Sequence, residues 1–174
     1  FVGLDGPQTN SPNVSNTGFY IRKFISEASG YTLRNYAENW WPWFRLGEIY
    51  LNAAEAAFEL DDEPTALPYI NRLRQRAGFP ANSLTSLTIE KIQNERRVEL
   101  AFEGHRFWDI RRWKIGAETT KVYGLTITPQ NDGSFSYVRS VIQQRGWDDR
   151  MNYYPIADAE LFKNHNLVQN DGWK

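Results

Sequence analysis

The sequence predicts a mainly α-helical domain: a helix pair and a long helix, followed by a small β-hairpin and an irregular C-terminal tail. Two observations carry that class. Apolar residues recur at spacings of three and four through the middle of the chain, the period of a helix with one buried face. Two β-rich runs then flank "QNDG", which is turn chemistry between strands.

Residues 1–18, "FVGLDGPQTNSPNVSNTG", are rich in Gly, Pro, Asn and Ser and show no period. They are expected to be loop. "FYIRKFI" (19–25) alternates and predicts a short strand. In Trp43–Leu60, the residues Phe44, Leu46, Ile49, Tyr50, Ala53, Ala54, Ala57 and Phe58 form the apolar stripe of a first helix, with Pro42 suited to its first turn. "DDEP" ends it. Pro64 opens the second helix, where Leu67, Ile70, Leu73 and Ala77 make the stripe, Pro68 falls near the first turn, and Gly78 suits the C-terminal end. Thr88 is the N-cap candidate of the third helix, expected to run to about Trp113 with an interruption at Gly104. A glycine there implies close approach of another backbone. "KVYGLTITP" and "SFSYVRSVI" give the hairpin around Asn131–Gly133. A short helix is expected from near Asp158. The asparagine-rich tail is expected to pack along the surface, burying Leu161, Phe162, Leu167, Val168 and Trp173.

Composition removes several function classes. The chain has 174 residues, with 20 Lys+Arg against 21 Asp+Glu, so no basic field attracts a nucleic-acid backbone. Cysteine is absent, which excludes disulfides, thiolate metal sites and a cysteine nucleophile. No run of about 18 apolar residues exists to cross a membrane as a helix. The start lacks an initiator Met and the basic-then-apolar pattern of a signal peptide, so a fragment of a longer protein is expected.

The stretch "NERRVELAFEGHRFWDIRRWK" concentrates charge: Glu95, Glu99 and Glu103 form a row at i, i+4, and Arg96, Arg97, Arg106, Arg111 and Arg112 flank it. A like-charge row is unfavourable unless cations neutralise it. Arg96 and Arg106 stand three residues from Glu99 and Glu103, so a lattice of ion pairs is expected here. Catalysis would need an acid or base left unpaired. Neither H-E-x-x-H nor the Glu-x-x-His of di-iron bundles occurs, so no metal and no cofactor is implied.

The order "RLGEIYLNAAEAAFEL…ALPYINRLRQRAGFP…LTIEKIQNERRVELAFEGHRFWDIRRWK", ending in "YYPIADAELFKNHNLVQNDGW", resembles the C-terminal region of the SusD/RagB family. "TGFYIRKF" resembles the segment upstream. Ala157, His165 and Asp171 stand where the family usually has proline, all in loops. The resemblance covers nearly the whole chain and implies that residues 1–174 form one C-terminal unit of a longer, mainly helical lipoprotein with tetratricopeptide-like helix pairs. Trp43, Leu46, Gly47 and Tyr50 match the W-x₂-L-G-x₂-Y start of such a repeat, with Ala66 as the small residue of the second helix. That match assigns Trp43 to the repeat core.

The resemblance further implies a surface-exposed lipoprotein of the outer membrane in Bacteroidetes-type bacteria. Such a protein binds a glycan, or in some branches a peptide. It has no chemistry of its own and sits on a TonB-dependent transporter of the SusC type. Its membrane contact would be an N-terminal lipid anchor absent from this chain. A sugar site needs flat rings for pyranose faces and polar neighbours for hydroxyls. "ENWWPWF" offers Trp40 and Trp41 with Asn39 beside them, because adjacent tryptophans cannot share one helix face. Burial of one or both in the core is the competing expectation, and Trp108, Trp113 and Trp147 are expected in the core. Two alternatives stay open: a tetratricopeptide-type protein-interaction module, and a glycan-cleaving enzyme drawing on Asp148, Asp149 and Glu27.

Overall fold

A computed structural model describes residue 15, residues 17–25 and residues 40–173. The chain divides into two compact units, Ser26–Trp108 and Phe1–Ile25 with Asp109–Lys174.

The first unit is helical. Helices α1 (Leu46–Glu59) and α2 (Glu63–Arg76) form an antiparallel pair, and α3 (Ile89–Glu99) packs on α1. Their core is Leu51 and Ala54 of α1, Ala66, Ile70 and Leu73 of α2, then Leu87, Ile92 and Leu100. Ala54 and Ala66 are fully buried, and their small side chains let the two backbones come close. The α1 stripe is turned from its expected position. Gly47, Leu51, Ala54 and Glu55 face inward, whereas Phe44, Leu46 and Ile49 are exposed.

Local chemistry sets the helix ends. The Asp62 carboxylate accepts from the Thr65 N–H at 3.1 Å and caps α2, with Pro64 in the first turn where no N–H is needed. At the far end, the N–H groups of Gly78 and Phe79 donate to the carbonyls of Gln75 and Arg74, closing a Schellman motif. Thr88 caps α3 by accepting from the Lys91 N–H at 3.3 Å, as expected. Buried Asn71 braces the connecting loop, donating to the Leu84 carbonyl and accepting from the Leu84 N–H, both at 2.9 Å.

The long third helix is in fact two. α3 ends at Glu99, and α4 (His105–Arg112) starts after a turn in which Phe102 has φ 65° and Gly104 φ 83°. Two left-handed residues within three positions cannot belong to a right-handed helix. The glycine serves this conformation and not a close approach, since no heavy atom lies within 4 Å of where its β-carbon would sit. The expected strand at 19–25 is also absent. Its backbone turns at Lys23–Phe24, with the Ile25 N–H donating to the Arg22 carbonyl at 3.2 Å. Alternation alone makes no strand without a partner to pair with.

The second unit is built on the hairpin, β1 (Lys121–Pro129) antiparallel to β2 (Phe135–Gln144), with Tyr123 opposite Val141 and Ile127 opposite Tyr137. A bulge lies between Val122 and Tyr123. The ring of half-buried Trp147 covers Gly116 so closely that any β-carbon there would overlap it. A short α5 (Asp158–Lys163) precedes the tail. Phe162 and Val168, expected to be buried, are exposed, while Leu161 and Trp173 are partly covered. The tail is held by polar contacts instead. The Gln169 amide accepts from the Ile156 N–H and donates to the Ile156 carbonyl, both at 2.8 Å. The Trp173 indole donates to the Arg150 and Tyr153 carbonyls at 2.9 and 3.2 Å.

Replacing Gly104 with alanine will destabilise the fold by about 1 kcal/mol through backbone strain alone. Urea unfolding of Gly104→Ala measures this, and a loss near zero would remove the role given to the left-handed turn.

Candidate functional site

The charged stretch is an ion-pair network centred on Arg45. Arg45, just ahead of α1, places its Nε 2.6 Å from Glu103 Oε2 and pairs through Nη1 with Glu99, while its Nη2 donates to the Glu99 carbonyl at 2.5 Å. Arg76 pairs with the same Glu99 oxygen, and Arg74 pairs with Glu95. Buried Arg96 donates to Asn52 Oδ1 at 2.7 Å, and His105 Nε2 lies 3.7 Å from Glu48 Oε2. Burial works against the charge on Arg45. The hydrogen bonds to Glu103 and then Glu99 outweigh it and raise its pKa above the ordinary guanidinium value.

The expected lattice therefore exists, and cations from α2 and from the approach to α1, which the sequence did not point to, also reach its glutamates. Glu95, Glu99 and Glu103 each meet an arginine, which is the pattern of structural ion pairs. Among the described residues no group of three or more His, Asp or Glu side chains is placed to hold a metal ion.

Trp40 is 91% exposed and Trp41 51%, both in irregular backbone ahead of α1. Asn39 lies outside the described residues. The first helix begins at Leu46, later than its apolar pattern implied, so Trp43 sits in a bend at 43–44 and is 82% exposed. This corrects its assignment to the repeat core. Trp108 is likewise 59% exposed, its ring edge-on to Phe107 at 5.1 Å, while Trp113 and Trp147 are partly buried.

The second unit holds a cleft of about 590 Å³ that sequence reasoning did not find. Lys114, Asp148, Asp149, Tyr153 and Asp171 line it. They come from three stretches far apart in the chain, of which the sequence offers only Asp148 and Asp149 as functional candidates, for glycan cleavage. Asp148 is engaged, its Oδ1 accepting from the Arg150 N–H at 3.1 Å. Glu27, the third carboxylate considered for glycan cleavage, lies outside the described residues.

The profile of the SusD family matches residues 1–173. The chain belongs to the SusD family. A crystal structure of a SusD-like protein from Bacteroides fragilis superposes with a TM-score of 0.74 at 35% identity, covering 94% of this chain and 32% of that one. A SusD-like protein P2 of Formosa agariphila is 32% identical over 87% of this chain and 30% of its own length. The starch-binding protein SusD of Bacteroides thetaiotaomicron is 30% identical over 76% of this chain and 21% of its own. The chain thus spans under a third of the length of the relatives it matches. The SusD-like fold supplies the mainly helical architecture with its antiparallel hairpin, as the sequence predicted. The family's terminal motif, "YYPIADAELFKNHNLVQNDGW", proves to be a clasp, since Gln169, Asn170 and Trp173 all bond to the backbone of residues 150–156.

Removing Glu99 leaves Arg45 and Arg76 without a shared acceptor. Glu99 is mostly but not wholly buried, so Glu99→Ala will cost about 2–3 kcal/mol, below the roughly 3–5 kcal/mol of a fully buried pair. Calorimetric melting reads this; a variant that melts like the parent but loses ligand would make the cluster functional.

Proposed function

We propose that this chain belongs to a non-catalytic, glycan-binding subunit of an outer-membrane nutrient-uptake complex, exposed at the cell surface. Its partner is a TonB-dependent transporter of the SusC type, and its membrane attachment is a lipid anchor outside these residues. Membership of the SusD family, with a starch-binding relative in it, supports the reading. The observation that carries it within this chain is the pair Trp40 and Trp41, exposed ahead of α1. The Trp40 indole, 91% exposed, is costly to leave in water and suits the apolar face of a pyranose ring. Asn39 is assigned as their polar neighbour.

Binding without turnover is the reading taken over from the family, and the charged stretch agrees with it. His105 is engaged with Glu48, and Asp148 caps a turn. The glutamates of the charged stretch have arginine partners. The full-length protein should retain soluble starch or another polysaccharide in affinity electrophoresis and release no reducing ends from it. Trp40→Ala should weaken retention about fivefold, on the order of 1 kcal/mol for a lost stacking ring, at an unchanged melting temperature. If the Trp40 and Trp41 replacements both lower the melting temperature and leave affinity intact, the rings are structural. Reducing-end release abolished by one Asp or Glu substitution would make the protein an enzyme.

A further inference from the structure

The cleft of the second unit is preformed. The turn at residues 149–152 makes one wall and the tail turn at Asp171–Gly172 another, and the Trp173 indole ties them by donating to the Arg150 and Tyr153 carbonyls. Arg150 adds a bond from Nη1 to the Gly172 carbonyl at 3.3 Å and stacks on Trp173, its guanidinium carbon 4.9 Å from the ring centroid. Such a clasp removes the ordering cost a ligand would otherwise meet. The volume lies within the roughly 300–1,000 Å³ of small-molecule sites.

The lining specifies the ligand's chemistry. Asp149 and Asp171 have no side-chain hydrogen bond or ion pair among the described residues, so both are acceptors open to the cleft. Lys114 supplies donors, with its Nζ 5.8 Å from the centroid of the half-exposed Tyr153 ring. Two carboxylates alone would collect counter-ions. Acceptors, a donor and a ring around one space fit a molecule that is donor, acceptor and apolar face at once. The lining sets three carboxylates, Asp148, Asp149 and Asp171, against the two cations Lys114 and Arg150, and this near balance suits a neutral ligand better than a phosphorylated one. We infer that this cleft is a saccharide subsite, taking one or two neutral sugar units, with Asp149 and Asp171 accepting from hydroxyls, Lys114 donating, and Tyr153 beneath the ring.

This rests on the carbohydrate-binding reading above, and the test separates the two. The full-length protein is titrated by calorimetry with maltohexaose, cellohexaose and xylohexaose, beside Asp149→Asn/Asp171→Asn, Lys114→Met and Trp40→Ala. The subsite predicts binding of at least one sugar about tenfold weaker in both cleft variants at an unchanged melting temperature. Unchanged affinity in both cleft variants overturns the subsite, and weakening by Trp40→Ala alone leaves the carbohydrate reading standing. A double variant that melts early while Lys114→Met binds normally also overturns it. A parent protein that binds none of the three sugars overturns the subsite and speaks against the carbohydrate reading itself.

Discussion

Glu99 and Glu103 stand four residues apart on a stretch that packs against α1, and the helical unit depends on how their charge is met. A single guanidinium, Arg45, spans both, and its planar fork reaches across the break between α3 and α4. The constraint runs both ways. The left-handed turn at Phe102–Gly104 sets where Glu103 meets Arg45, and Arg45 lies immediately ahead of the residue that begins α1. Arg76, from the last turn of α2, closes on Glu99 from another side. Apolar contacts supply the bulk of the packing through Leu51, Ile70 and Ile92. The guanidinium–carboxylate bridge fixes the register in which those side chains meet.

Much of the fold was legible in the sequence wherever local chemistry decides structure. Pro64, Gly78 and Thr88 act through their own backbone or the next turn, and each sits where its chemistry placed it. The hairpin followed from turn residues between β-branched runs. What failed was decided by distant groups. The pattern of α1 could not reveal that Leu51 and not Leu46 faces the core, because both positions are apolar and only α2 and α3 choose between them. Phe102 adopts a left-handed backbone that no phenylalanine advertises. The sequence announced an ion-pair lattice but not Arg45, Arg74 and Arg76, which stand 21 or more residues from the acids they meet.

The site was legible only in part. Adjacent tryptophans on a helix cannot share one face, which asks that at least one ring avoid the core, and Trp40 is 91% exposed. The repeat motif puts Trp43 in the core, whereas the bend at residues 43–44 turns it to solvent. The cleft had no linear signature, since Lys114, Tyr153 and Asp171 meet only once the tail has folded back.

The tail's fastening has a consequence of its own. Gln169 meets both the N–H and the carbonyl of Ile156, as a neighbouring strand would, so one side chain stands in for a β-partner. That amide, the Asn170 amide and the Trp173 indole all bond their polar groups to backbone, so the tail is fastened by uncharged donors and acceptors, whereas the helical unit is braced by charged pairs. Salt screens charged contacts and barely touches neutral ones, so ionic strength should weigh on the helical unit more than on the clasp.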